Sequence, residues 1–401
     1  MAAAVLSDLD GLLKRNYGDD FITQQQFDPD FISTMPKAPE KPEGENGAIY
    51  LGVRMARRQN GGAQNQGEQF RTNAVGTRKQ ATVVAKINIW AFEITNYAIA
   101  LSSSATAAFF SGLDDEMADS LAAFKKDENR QCFGYGMGVL SQVNGAVNNS
   151  VTVTVDDVMY FFPGMVVDFV TALSAGAIEA TGTISSISES ANTITLAAAV
   201  TLTDNDYIVR QNILTSNPTD GKEMMGLQGI ADAGTYLTTF QGLLRATYPI
   251  WNGSNVAAAG VSITSDLLQR TVDKVERKSG KTVDTIVSHR NQRRAYINLL
   301  TPMKRFQDDD LDAGFSALEW NGMRWLVSHD CQRDTIYTYP RKSVQCFEVM
   351  PIKLDDTDGK ILSRIPRTDT AEGYYKHYAN IGTRQPDAVG SISGLATLAD
   401  A

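Results

Sequence analysis

The residues that could do chemistry are three histidines, three cysteines and a few glycine- and aspartate-rich turns, and each group lacks a partner that its chemistry requires. Gly280-Lys281-Thr282 ends like a phosphate-binding loop. The glycine needed five places earlier is Val275, however, and a helical pattern precedes it, so a helix C-cap is expected there instead of an anion cradle. Gly134-Tyr135-Gly136-Met137-Gly138 opens like a dinucleotide fingerprint. Val139 stands where the next glycine belongs and a helix comes first, which predicts close packing at a helix end. Asp355-Asp356-Thr357-Asp358-Gly359 has the core of a calcium loop, but Leu354 fills the first ligand place and no glutamate falls at the twelfth, leaving a solvated turn. The run Asp308-Asp309-Asp310 with Asp312 reads as hydrated surface.

His289, His329 and His377 make no His-x-x-x-His or His-x-Glu pair, so a common zinc-hydrolase site is unsupported. His329-Asp330-Cys331 gathers the residue types of nucleophilic catalysis, yet neighbours on a strand point to opposite faces and cannot form a triad by themselves. Gly390-Ser391-Ile392-Ser393-Gly394 puts isoleucine where a nucleophile elbow needs serine. Cys132, Cys331 and Cys346 lie far apart, which fits free thiols in a reducing compartment better than a disulfide framework. The expectation is a non-enzyme with no catalytic, cofactor-binding or metal-ligating residue, and therefore a structural or binding role.

The elements that surround these residues say more. At 401 residues the chain exceeds what one core usually serves, and its 43% hydrophobic content excludes wholesale disorder. Residues 2–16 have the spacing of a short amphipathic helix. Pro29, Pro36, Pro39 and Pro42 then punctuate a polar arm that cannot fold alone. Strands at 47–57 and 80–95 flank a glycine-rich tip at 59–67, predicting a long hairpin, which is marginal in water without a partner surface. Residues 104–133 have helical periodicity, with Phe109, Leu113, Met117, Leu121 and Phe124 on one side. From 144 to 212 several short alternating strands separated by turn residues predict a compact β-barrel or sandwich. Residues 213–400 return to mixed α/β, with helices at 265–279 and 289–300 and strands at 285–287, 324–327, 335–339 and 344–349.

Charge divides the chain along similar lines. The net charge of −9 argues against a protein whose main work is gripping nucleic acid. Residues 47–90 carry seven basic side chains against Glu68 alone, between acidic segments at 1–46 and 91–130, and residues 131–209 contain no Lys or Arg. A basic hairpin between acidic neighbours suggests surfaces that meet, within or between subunits. Arg57, Arg58, Arg71, Arg78 and Lys79 are the candidate interface cations, with Asp114, Asp115, Glu116 and Asp119 as the acids they would meet on a neighbour. The other reading is that these arginines only solubilise the hairpin. The N-terminus, Met1 to Leu6, lacks a basic leader and is a poor signal peptide, and no run approaches a membrane helix.

In this order the parts resemble the major capsid proteins of tailed bacteriophages with the Hong Kong 97 type of shell fold. Gly226–Ile230 followed by Arg245–Pro249 and Trp251 resembles the entry to that family's axial domain, and Ile286–Arg290 through Tyr296 and Leu299-Leu300 resembles its central strand and helix. Gly314-Phe315, Leu318, Trp320-Asn321-Gly322, Arg324–Val327, Ile336-Tyr337 and Gly394-Leu395 resemble its later strands and C-terminal end. The resemblance implies an α+β fold with an N-terminal arm at 1–46, an extended loop at 47–95 and a spine helix opening the peripheral domain at 96–143. It further implies an axial domain at 213–335 and peripheral strands at 336–401. The all-β stretch at 144–212 would be an insertion of the kind some such proteins display outside the shell. Pentamers and hexamers of the chain would form an icosahedral virion shell, made in the host cytoplasm and away from membranes.

The partners implied are the chain itself, a separate scaffolding protein, a portal, a candidate decoration protein, and packaged double-stranded DNA held by non-specific contact. The stretch before the hairpin leaves little room for a fused scaffold, and the retained Met1 argues against N-terminal maturation cleavage. The lysine, asparagine and acid that a covalent subunit cross-link would need are not placed. Two alternatives stand beside this reading: an encapsulin-like shell enclosing protein cargo, and a carbohydrate-binding or adhesive protein built around the β stretch.

Overall fold

The computed structural model describes residues 31–42, 47–56, 63, 65–69, 76–97, 112–173, 178–213, 221–300, 318–356 and 362–398. The expected helix at 2–16, most of the hairpin tip, Arg57, Arg58, Arg71 and the acidic run at 308–312 lie outside them.

Strands β1 (Ala48–Arg54) and β2 (Arg78–Val84) pair antiparallel from Ala48 opposite Val84 to Arg54 opposite Arg78. Ile49, Leu51, Val53, Ala81 and Val83 turn one face of this ribbon into the core, while Tyr50 and Arg54 look outward. The stretch read as a single strand at 80–95 is divided at Ala85. Buried positions are odd-numbered in β2 (Ala81, Val83) and even-numbered in β3 (Lys86–Thr95; Phe92, Ile94), a one-residue slip that moves the buried set to the other face. Asn380 marks the break by donating its side-chain N–H to the Val84 carbonyl at 2.6 Å. Beyond it, β3 joins a different sheet.

That sheet centres on β19 (Thr370–Thr383), which pairs antiparallel with β3 on one side and with β17 (Val344–Leu354) and β18 (Ser363–Arg364) on the other. Helix α1 (Gly112–Gln131) packs Phe124, Met117 and Leu121 against Trp90, Phe92 and Tyr375 of the sheet. Gly373 makes room for this packing, since a Cβ there would lie 2.4 Å from the Phe92 ring.

A second, six-stranded mixed sheet runs in the order β12 (Ser254–Ala257), β20 (Gly390–Ser393), β16 (Ile336–Tyr339), β13 (Thr285–Ser288), β15 (Met323–Val327), β14 (Leu318–Trp320). Residues after 335 are therefore shared between the two sheets, because all four residues of β13 are buried and need strands on both sides: β15 parallel and β16 antiparallel. Helix α2 (Ser265–Ser279) covers this sheet with Leu268, Val272 and Val275, and α3 (Arg290–Leu300) adds Tyr296. The Thr264 hydroxyl caps α2 by accepting from the Leu267 N–H at 3.2 Å. Gly280 ends the helix at φ 68°, the left-handed cap expected in place of a phosphate loop.

A third sheet is wholly antiparallel: β4 (Val139–Gln142), β9 (Tyr207–Arg210), β6 (Val166–Val170), β7 (Ile178–Ser188), β8 (Thr193–Leu202), β5 (Val147–Thr154). Its ends meet, as Val143 bridges Val155, Asn144 N–H reaches the Thr154 carbonyl at 2.9 Å, and Asp156 N–H reaches that of Gln142 at 3.0 Å. Closure makes it a small barrel around Val153, Val167, Phe169, Ile184, Ile194 and Ile208.

The end of the proline-punctuated arm lies on this same chain. Phe31 and Met35 enter the core, and residues 36–38 run parallel to β17, with Cys346 N–H donating to Pro36 O and Ala38 N–H to Cys346 O. No helix of the described residues is long and apolar enough to cross a membrane.

Candidate assembly surfaces

The hairpin presents its cations on two faces. Arg54 and Arg78 sit directly opposite each other, both exposed, and among the described residues neither has an acidic partner. Like charges opposed across a strand pair are unfavourable. Lys79 is on the other face, opposite Val53, with its ammonium 5.9 Å from the centroid of the Tyr248 ring. Of the acidic candidates, Asp119 is exposed and Glu116 half-buried on α1. Asp114 and Asp115 fall in the first turn of that helix, and their side chains lie outside the described residues. No ion pair links Arg78 to Asp119 within the chain.

The base of the hairpin is pinned through the short turn between β10 (Thr239–Phe240) and β11 (Leu243–Leu244). Thr82 N–H donates to the Gln241 carbonyl at 2.9 Å, and the Trp251 indole N–H to that of Phe240 at 3.0 Å. Arg245, 1% exposed, holds the segment from below by donating to the carbonyls of Asp232, Gly229 and Trp251. Its guanidinium lies 4.8 Å from the Phe240 ring centroid, and burial lowers its pKa to about 10.

Sequence reasoning missed the polar seam at the C-terminal end of α1. Asp127, Glu128, Asn129, Arg130 and Gln131 form a run that ordinarily marks a solvated face, yet Glu128, Asn129 and Gln131 are at most 3% exposed. Each reaches a different part of the chain. Asp127 Oδ2 accepts from Arg210 of the barrel at 2.6 Å and from Gln131, and Arg130 pairs with Glu223. Glu128 meets His377 of β19 at 2.6 Å, Asn129 receives the Phe31 N–H at 2.8 Å and donates to Asp330, and Gln131 receives the Met224 N–H at 3.1 Å. Burial alone would raise the Asp127 carboxyl, but Arg130 and Arg210 outweigh it and hold it below the ordinary aspartate value. The one available signal was that the apolar stripe of α1 stops at Phe124 while the helix continues, so the last turn and a half has another task.

The remaining motifs make packing and hydrogen-bond contacts within the fold. Tyr160 donates to the Asp330 carbonyl at 2.7 Å, and burial pushes the Cys331 thiol well above its usual value, which favours the neutral thiol over the thiolate. Ile392 of the Gly390–Gly394 stretch is fully buried in the mixed sheet. Gly138, at φ 68°, lets Ile213 approach so closely that a Cβ would lie 2.4 Å from its methyl, which is the close packing expected of the Gly134–Gly138 run. Asp355 pairs with Lys376, and Asp356 with Lys353 at 3.2 Å.

No family model and no curated protein matches the sequence. Solved structures do match, over nearly the whole chain. The first is a chain of the cyanophage A-1(L) capsid asymmetric unit, with TM-score 0.60 and 10% identity, covering 98% of this chain and all of that one. The capsid of a native GTA particle matches with TM-score 0.52 and 11% identity over 99% and 100% of the two chains. The SrpI encapsulin of Synechococcus elongatus PCC 7942 matches with TM-score 0.51 and 8% identity over 99% and 97%. The chain thus has the mixed α+β fold of phage capsid shell proteins, as the resemblance in its sequence implied.

Proposed function

We propose that the chain is the major capsid protein of a tailed phage, assembling through pentamers and hexamers into an icosahedral shell around double-stranded DNA. The reading is carried by end-to-end likeness to capsid chains combined with a hairpin that opposes exposed Arg54 and Arg78, neither of which has an acidic partner among the described residues. In this reading the hairpin is the extended loop, α1 the spine helix, the β3–β19–β17 sheet the peripheral domain and the mixed sheet the axial domain. The barrel is an insertion displayed outside. Arg57, Arg58, Arg71 and Arg78, now joined by Arg54, meet Asp114, Asp115, Glu116 and Asp119 of a neighbour. Lys79 contributes less, being turned toward Tyr248 of its own chain. Exposed pairs are worth about 0–1 kcal/mol each, so they set register more than strength.

The role is structural rather than enzymatic. A separate scaffolding protein, a portal and a decoration protein complete the assembly in the virion, and scattered inner cations touch the DNA despite the net charge of −9. An encapsulin-like compartment is the second reading, favoured by a match nearly as close as that to the GTA capsid. Particles isolated from the producing cell decide between them. Nuclease-protected double-stranded DNA supports the capsid reading, and an enclosed cargo protein without DNA contradicts it.

A further inference from the structure

Between the barrel and the rest of the chain lies a cleft of about 450 Å³ that no assembly role explains. Tyrosines line it from both sides: Tyr160 and Tyr207 from the barrel, Tyr135 and Tyr236 from the body. The Tyr135 and Tyr236 rings are stacked, with centroids 5.0 Å apart, and Tyr236 remains 47% exposed, offering its outer face to the cleft. Fixed polar groups stand around these rings. Asp156 uses Oδ1 to accept from Asn144 at 3.2 Å, and among the described residues its Oδ2 and the side-chain amide of Asn192 have no protein partner. Gln228 accepts from Gln332 at 3.2 Å and is turned toward Tyr236. The walls are braced across the junction by Tyr160 on the Asp330 carbonyl and by Arg333 on Asp157 at 3.3 Å, so the cleft is preformed.

We propose that this cleft binds a neutral oligosaccharide. Sugars offer apolar C–H faces that lie on aromatic rings, ringed by hydroxyls that pair with planar amides and carboxylates, and the cleft presents both in one cavity of ligand size. Its charge narrows the class. Asp156, Asp157 and Asp334 outnumber Arg333, which is already engaged with Asp157, so sialylated, sulfated or phosphorylated ligands are repelled. The barrel supplies no Lys or Arg before Arg210, and that arginine is bound to Asp127. The mixture of phenols, amides and carboxylates also disfavours a purely apolar ligand, whose burial would strand those groups unpaired.

The test uses the full chain in whatever assembly state it adopts. It is applied to an array of neutral hexose and N-acetylhexosamine oligosaccharides beside sialylated and sulfated ones, and the best ligand is then titrated. Binding to neutral glycans is expected, weakened about tenfold or more by Tyr236→Ala, the loss of one stacking face, and largely retained by Tyr236→Phe. If Tyr236→Ala does not fold, Gln228→Ala is read by the same criterion. Absence of neutral-glycan binding by folded protein overturns the proposal. So does binding restricted to anionic glycans, or affinity unchanged by Tyr236→Ala. Electron micrographs of the same sample keep the two readings separate: shells without glycan binding sink this inference alone, and glycan binding without shells, even when a scaffolding partner is supplied, sinks the capsid reading alone.

Discussion

Replacing Arg210 by glutamine tests how the barrel is fastened to α1. The Arg210 guanidinium lies 2.6 Å from Asp127, with side chains 28% and 14% exposed, so the pair is shielded but not fully buried. Breaking a buried pair costs about 3–5 kcal/mol, while an exposed pair is worth about 0–1 kcal/mol. Asp127 would keep Arg130 at 3.2 Å and Gln131 at 2.9 Å, which spares it from becoming an orphan charge. Arg210 also lies 5.7 Å from the Trp90 ring centroid, a contact worth about 0.5–1 kcal/mol. Together these place the loss near 2 kcal/mol, roughly a thirtyfold rise in local opening. Several cores make global unfolding a poor reporter, so hydrogen exchange of the β9 amides is the assay. In a double-mutant cycle with Asp127→Asn, a coupling of about 1 kcal/mol or more is expected. Coupling below about 0.3 kcal/mol, with β9 protection unchanged in Arg210→Gln, would refute the claim that this pair fastens the barrel.

Other outcomes follow from the same geometry. Asp127 titrates below the ordinary aspartate value, so its contribution is complete above about pH 4 and is lost as pH falls further. The protection of the β9 amides, taken relative to their intrinsic exchange rate at each pH, should therefore fall in acid, and Asp127→Asn should flatten that dependence. Gly138→Ala combines a φ of 68° with a 2.4 Å approach to Ile213, and should cost at least about 2 kcal/mol of local stability, read by hydrogen exchange of the neighbouring β9 amides. Reversing Arg54 and Arg78 to glutamate should impair assembly in sizing chromatography while leaving the subunit folded by circular dichroism. Unchanged assembly would leave these arginines as solubilising groups only.

The sequence was legible where local signals and tertiary structure agree. Thr264 and Gly280 bracket α2 by capping chemistry alone, and alternating valines and threonines with turn residues marked the barrel strands. It was misleading where one apolar run serves two sheets: nothing local in Thr82–Trp90 records the slip at Ala85, which the partner strands β1 and β19 impose. The sheet membership of β16 and β20 was likewise hidden, because pairing over such sequence distances leaves no local pattern. The candidate surface was legible as charge but not as facing, since only the register of β1 with β2 separates Arg78 from Lys79. The seam at Asp127–Gln131 was hidden for the opposite reason: five polar residues look solvated until their partners, up to 249 residues away, are in place.

The central claim is that copies of this chain build a closed shell. Negative-stain electron microscopy of the purified protein, with sizing chromatography alongside, tests it most directly. The account predicts closed shells, or rings of five and six subunits. A homogeneous monomer that forms neither, even when a scaffolding partner is supplied, would contradict it.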